Sequence, residues 1–307
     1  MAIIRQKAEY LGFQFLKILF FVLPRPFCLA IGGALGSMIY GIDRKHRQIA
    51  LSNLNTAFGS QFSLPKRKKI ARASFRHFGR FFAEIIKNRS MRKERIQRFI
   101  SVEGTEHIEK ALQGGKGALI FSAHLGNWEM ATALVSQIGK VNVIARPLDN
   151  RRLEDELLQI RKKLGATVIH KQQAARPILR ALNDNEMVAI LIDQNTVRNQ
   201  AVFVDFFGKR AATTPSLAAF FLKTESPLIP VFCYPIQRGK YQLKILPPVK
   251  PLITGDEEQD VLKITQLCTK IIQNQIQENP NIWLWFHDRW KTRPEEEGRS
   301  EKKKNEI

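Results

Sequence analysis

The sequence predicts an α/β fold, with a mostly parallel central sheet flanked by helices and preceded by an N-terminal, membrane-anchoring helical segment. Three observations predict it. From about residue 100 onward, short apolar strands alternate with segments of helical periodicity, the pattern of a parallel sheet with crossover helices. Residues 10–42, YLGFQFLKILFFVLPRPFCLAIGGALGSMIYGI, carry only two charges, Lys17 and Arg25. Hydrophobic residues make up 44% of the 307-residue chain, enough for a sizeable core.

In the N-terminal stretch, Pro24-Arg25-Pro26 divides the run in two. The uncharged part, residues 27–42, is slightly short of the ~20 residues that span a bilayer. No small-residue cleavage site closes it as a secretory signal requires. It reads either as a pair of buried core helices or as a membrane anchor. The missing polar face favours the anchor, as a short tilted span or a kinked hairpin that dips in. Arg44, Lys45 and Arg47 follow directly. The positive-inside tendency then holds the rest of the chain on the cytoplasmic side.

Residues 44–99 form a basic helical region. Helical periodicity runs to about Phe58, and Ser63 before Leu64-Pro65 marks the next helix start. Phe75, Phe78, Phe82, Ile85 and Ile86 fall on one apolar face, and Lys69, Arg72, Arg76 and Arg80 on a basic one. That basic face is either solvated or lies on anionic headgroups or an acidic carrier. Arg92, Lys93, Arg95 and Arg98 extend it.

The α/β domain is assigned to residues 100–294. Strands are predicted at 118–123, 141–145, 167–169, 187–192, 228–234 and 241–246. Helices are predicted at 129–138, 153–164, 174–182 and 261–277, with another opened by Thr214-Pro215. Residues 281–290 are aromatic and partly strand-like. The charged tail 295–307 has too little apolar content to pack and is expected to be disordered.

Lys and Arg number 49 against 28 Asp and Glu, a formal charge of +21. That excess implies an anionic partner: nucleic acid, an anionic membrane, a phosphorylated substrate or an acidic protein. Cys28, Cys233 and Cys268 are widely spaced, so neither a disulfide framework nor a zinc site is suggested, and a reducing compartment fits.

The chemistry concentrates in ALIFSAHLGNWEM, residues 118–130. His124 stands at the carboxyl end of a predicted strand, where open α/β sheets place their ligands. Asn127 can cap the following helix, putting Glu129 in its first turn. A carboxylate near one imidazole nitrogen fixes the tautomer and makes the other nitrogen a general base. The same helix start offers free N–H groups to an anionic oxygen. GxSxG, HExxH and P-loop patterns are absent, so serine hydrolase, zinc peptidase and ATPase readings lack their marks.

The His-x4-Glu spacing after an apolar strand resembles the H-x4-D/E acyltransferases of glycerolipid and lipid A synthesis. Several further blocks narrow the resemblance to the bacterial lipid A biosynthesis acyltransferases. They are the apolar N-terminus, IALSNLNTAFG around Asn53-Leu54, HLGNWE, LIDQN at 191–195, FVDFFGKRAATTPS at 203–216 and WLWFHDRWKTRP at 283–294. The resemblance implies a glycerolipid acyltransferase-like fold at the bacterial inner membrane, with the catalytic domain facing the cytoplasm. It implies transfer of a fatty acyl chain from acyl carrier protein or acyl-CoA to a hydroxyl of a lipid A precursor or related lipid. No metal or separate cofactor is implied. His124 would be the base and Glu129 its partner. Arg161 and Asp193 would be further polar site residues, with Gln194 beside Asp193 and Arg146 in IARPLDN as other substrate-binding positions. The expected partners are acyl carrier protein, anionic lipids and a glycolipid or lysophospholipid acceptor. A lysophospholipid acyltransferase or a lipid hydrolase could use the same pair. A basic nucleic-acid-binding protein is the competing non-enzymatic reading, opposed by the apolar N-terminus.

Overall fold

The structure is a computed structural model that describes residues 2–91 and 93–294. Arg92 and the tail 295–307, expected to be disordered, lie outside the described residues. Four long helices lead: α1 (Ala2–Val22), α2 (Arg25–Ile42), α3 (Arg44–Phe58) and α4 (Leu64–Ser90). The short α5 (Lys93–Gln97), β1 (Ile100–Glu103) and α6 (Thr105–Gln113) follow. Next come β2 (Ala118–Ser122), α7 (Trp128–Ile138), β3 (Val141–Ala145), α8 (Arg151–Lys163), β4 (Ala166–His170), α9 (Ala175–Asn183) and β5 (Met187–Leu191). A hairpin of β6 (Val202–Phe206) and β7 (Lys209–Thr213) precedes α10 (Ser216–Thr224), β8 (Leu228–Pro235), β9 (Tyr241–Ile245) and α11 (Glu257–Glu278).

Seven strands form one sheet in the order β1-β9-β8-β2-β5-β3-β4. Strands β8, β2, β5, β3 and β4 run parallel, as the alternation of strands and helices requires. The turn at residues 236–240 is too short for a crossover, so β9 returns antiparallel to β8, and β1 joins that edge parallel to β9. The central β2 is buried throughout, which explains its unbroken apolar run. Apolar side chains fill both faces of the sheet, one against α7 and α6 and the other against α10 and α11.

Several expectations change. Strand β1, helix α6 and the β6–β7 hairpin are not among the expected elements; β1 is exposed at three of its four positions and the hairpin strands carry Asp205, Lys209 and Arg210, so neither shows an unbroken apolar run. Residues 283–290 make no strand beyond an isolated bridge between Trp283 and Leu125; they are held instead by hydrogen bonds from elsewhere. Ser63 occupies the cap position of α4 but its side chain makes no capping bond; Pro65 at the helix start marks the boundary. Phe82, placed by its spacing on the buried face of α4, is 57% exposed, because Phe81 turns inward in its stead.

Helices α2, α3 and α4 pack onto the α/β core. Asn53 of α3 donates to the carbonyls of Trp285 and His287 at 2.7 and 2.6 Å. Ser74 of α4 donates to the Trp283 carbonyl at 2.6 Å. These bonds give the block around Asn53 a structural purpose: it holds the aromatic segment over the carboxyl end of the sheet.

Candidate active site

Strands β2 and β5 are neighbours in register, with Ser122 opposite Leu191. Two residues past each end, His124 and Asp193 therefore arrive side by side. The His124 Nδ1 donates to Asp193 Oδ1 at 2.8 Å, and the His124 backbone N–H donates to Oδ2 at 2.9 Å. The Trp283 indole N–H also donates to Oδ2, at 2.7 Å. Burial pushes the Asp193 carboxyl upward, but His124 and these three hydrogen bonds outweigh it and hold the group below its ordinary range. An ionised Asp193 keeps the proton on Nδ1, so Nε2 presents a lone pair. The Gln194 side-chain amide donates to that nitrogen at 3.2 Å.

This arrangement corrects the expected pairing. The carboxylate that orients His124 is Asp193. Glu129 lies in the first turn of α7, on the side facing α8, and takes a two-toothed grip from Arg161, with Nε at 3.1 and 3.2 Å and Nη2 at 2.5 Å. Both partners are largely buried, at 13% and 7% exposure. Burial pulls the Arg161 guanidinium down, yet Glu129 and the nearby Glu154 more than compensate and hold it above its usual value. Arg161 thus joins the site through Glu129. Arg146 does not: it is 79% exposed and pairs with Asp149 on the surface.

The turn between β2 and α7 is held on every side. Gly126 takes φ +66°, and an added Cβ would lie 2.0 Å from the Cys233 carbonyl, so only glycine fits. Its N–H donates to the Ile282 carbonyl at 3.0 Å, and the Asn127 N–H to the Cys233 carbonyl at 2.8 Å. Asn127 Oδ1 caps α7 by accepting from the Met130 N–H at 3.1 Å, as expected from the sequence. From α4, His77 donates to the Gly126 carbonyl at 3.0 Å. Burial, opposed by that bond and reinforced by Arg80, pushes His77 down to about 4. Glu84, fully buried on the same helix, accepts from Asn127 Nδ2 at 3.3 Å, from Tyr241 and from Arg25 Nε at 2.7 Å.

Three residues of the aromatic block gain roles that the sequence left open. Trp283 supports Asp193. His287 Nε2 accepts the Asn195 N–H at 3.0 Å, and burial keeps this second imidazole below its ordinary range. Arg289 is fully buried; it donates to the Ala212 carbonyl at 2.6 Å and to Thr213, and lies over the Phe206 ring at 5.2 Å. Burial lowers it to about 10, with Asp193 acting in the opposite direction. Arg289 thereby fastens the FVDFFGKRAATT hairpin to the site.

An apolar cavity of about 80 Å³ lies between α7 and the sheet, lined by Ile120, Val135, Val143, Ala189 and Val231, with Glu129 and Arg161 at its polar end. Trp128 lines it as well and stands edge-on to His124, ring centres 4.9 Å apart. Among the described residues no three His, Cys, Asp or Glu side chains converge as a metal site needs.

The profile of the bacterial lipid A biosynthesis acyltransferases matches residues 2–292. The chain belongs to that family. The acyltransferase is 26% identical over 274 residues to the lipid A biosynthesis palmitoleoyltransferase of Escherichia coli strain K12, covering 89% of this chain and 87% of the relative. It is 25% identical to the lipid A biosynthesis lauroyltransferase of the same organism, covering 89% and 88%. A phosphatidylinositol mannoside acyltransferase of Mycobacterium tuberculosis is 27% identical, covering 71% and 69%. The acyltransferase therefore carries its polar cluster, His124 with Asp193 and Gln194, at the carboxyl end of the sheet in a family whose chemistry is acyl transfer to a lipid.

Proposed function

We propose that this enzyme is a membrane-bound O-acyltransferase that moves a fatty acyl chain from a thioester, on acyl carrier protein or coenzyme A, to a hydroxyl of a lipid A precursor or related glycolipid. The observation that carries the mechanism is the His124–Asp193 pair, with Nε2 facing the Gln194 amide. The acceptor hydroxyl displaces the Gln194 amide and gives its proton to Nε2. Its oxygen attacks the thioester carbon, forming a tetrahedral oxyanion beside the N–H groups at the start of α7. Collapse breaks the carbon–sulfur bond, and the proton on Nε2 passes to the departing thiolate. Asp193 stabilises the imidazolium in between.

Glu129 and Arg161 act by position: they fix the start of α7 and line the small apolar cavity beside it. The acceptor and carrier are anionic in this reading, in keeping with the exposed Arg72, Arg76 and Arg80 on α4. The membrane reading draws on the exposed apolar residues Leu11, Phe15, Ile18 and Val22 of α1 and Phe27 and Ile42 of α2. The catalytic domain faces the cytoplasm, where both thioester donors are made.

The test is His124→Ala in the full-length enzyme, assayed by mass spectrometry of the acylated lipid product. A general base contributes roughly a hundred- to ten-thousandfold. Loss of that size in a folded, membrane-associated variant is expected; near-normal transfer would reject the assignment.

A further inference from the structure

Helix α2 has 18 residues and enough apolar character to cross a bilayer. Its packing argues otherwise. At its start, Arg25 is buried against the fully buried Glu84. At its end, Arg47 of α3 donates to the Tyr40 and Gly41 carbonyls at 2.7 and 2.6 Å. Between these ends α2 lies in backbone contact with α4. A Cβ on Gly36 would come 2.1 Å from the Phe75 carbonyl, and one on Gly79 2.1 Å from the Gly32 carbonyl. Alongside, the stems of Arg76 and Arg80 lie over Gly33, with their Cγ atoms 3.4 and 3.3 Å from where its Cβ would be.

Helix α1 is bound along its length in the same way. Gln6 donates to the Asp149 carbonyl at 3.1 Å, Arg152 stacks on Tyr10 at 5.2 Å, and Lys17 pairs with Glu156 at 2.9 Å. Its last carbonyls are capped by Lys87 Nζ of α4, at 2.8 Å from the Phe20 oxygen and 2.9 Å from that of Leu23. The turn between α1 and α2 is thus tied to the catalytic domain and cannot stand on the far side of a membrane.

From this packing the geometry points to a one-leaflet interface: α1 and α2 lie in the plane of an anionic phospholipid surface, and neither crosses it. The inference rests on the membrane reading above and fixes its topology. Any slab of hydrocarbon deep enough to contain α2 end to end would also contain Arg72, Arg76 and Arg80, which are exposed and make no ion pair among the described residues. Charged side chains at bilayer depth are too costly for that. At the headgroup level the same arginines meet lipid phosphates, while Phe15, Ile18, Phe27 and Ile42 reach the acyl boundary.

Depth-dependent quenching tests this. The full-length protein is labelled with a fluorophore at one of three exposed positions along α2, in the variants Phe27→Cys, Ala34→Cys and Ile42→Cys; the native cysteines are buried. It is mixed with phosphatidylglycerol-containing vesicles whose lipids carry bromines near the headgroup or near the chain ends. Shallow bromines quenching all three labels about equally is the expected result. Strongest quenching of Ala34→Cys by the deep bromines, with the two ends shallow, would overturn the topology while leaving membrane binding intact. Absence of quenching at all three positions, with the protein a soluble dimer, would overturn the membrane reading as well. Arg72→Glu, Arg76→Glu and Arg80→Glu together should weaken binding to these vesicles by about a hundredfold or more, at about 1 kcal/mol per charge, and leave binding to neutral vesicles unchanged.

Discussion

Replacing Asp193 with Asn tests the relay without changing its shape. Two donors, the Trp283 indole and the His124 backbone N–H, converge on Oδ2. An asparagine satisfies both only by placing its carbonyl oxygen there. Its NH2 then faces Nδ1 of His124, which sits 2.8 Å from the other oxygen today. Nδ1 must become the acceptor, so the proton moves to Nε2 and the base has no lone pair to offer. The expected loss in kcat is that of a general base, roughly a hundred- to ten-thousandfold, or about 3–5 kcal/mol of transition-state stabilisation. The assay is initial-rate transfer of a labelled acyl chain from a thioester donor to lipid acceptor, with donor KM measured alongside. The variant should fold, and KM should move little. Activity within tenfold of the parent would refute the relay and return the orienting role to Glu129.

Arg161→Ala leaves the buried Glu129 carboxylate without its counter-ion. A stability loss of about 3–5 kcal/mol is expected in thermal or denaturant unfolding, and Arg161→Lys should recover only part of it. Gly126→Ala meets both a positive φ and the Cys233 carbonyl, so it should cut activity at least about tenfold by displacing the catalytic turn, with a smaller loss of stability of about 1–3 kcal/mol; normal kinetics would show the turn to be slack. His77 binds a proton in the unfolded chain near its ordinary value but in the folded chain only at about 4. Stability from this group is complete above the unfolded value and is lost as pH falls toward 4, on the order of 3 kcal/mol across the window. His77→Gln should flatten that part of the stability–pH curve.

The sheet was legible in the sequence because its central strands are apolar and separated by helices. The position of His124 and the Asn127 cap were legible too, since both depend on neighbours within a few residues. The partner of His124 was not, although Asp193 was marked as a site residue. Glu129 is close in sequence, but the helix turns it toward α8. Asp193 is 69 positions away in the chain, and only the adjacency of β2 and β5, a matter of strand order, brings it in. Arg146 stands apart from this cluster for a related reason: the end of β3 lies beyond β5 and opens to solvent. His77, Glu84 and Trp283 reach the turn around His124 through tertiary packing alone, which no periodicity encodes.

The contact between Arg25 and Glu84 bears on how this enzyme can be shortened. Cutting the chain ahead of α3 would remove the exposed apolar side chains of α1 and α2. It would also strip the Arg25 cation from a carboxylate with no exposure, leaving Tyr241 and Asn127 as its other partners among the described residues. The orphaned charge would cost about 3–5 kcal/mol, a large share of an ordinary protein's stability, and the strain would fall on the turn that carries His124. The amino-terminal helices are therefore a keystone of the catalytic domain and cannot simply be cut away as a leash. A shortened enzyme should be attempted with Glu84→Gln in the same chain, so that a neutral amide can keep the hold on Asn127 without requiring a positive neighbour.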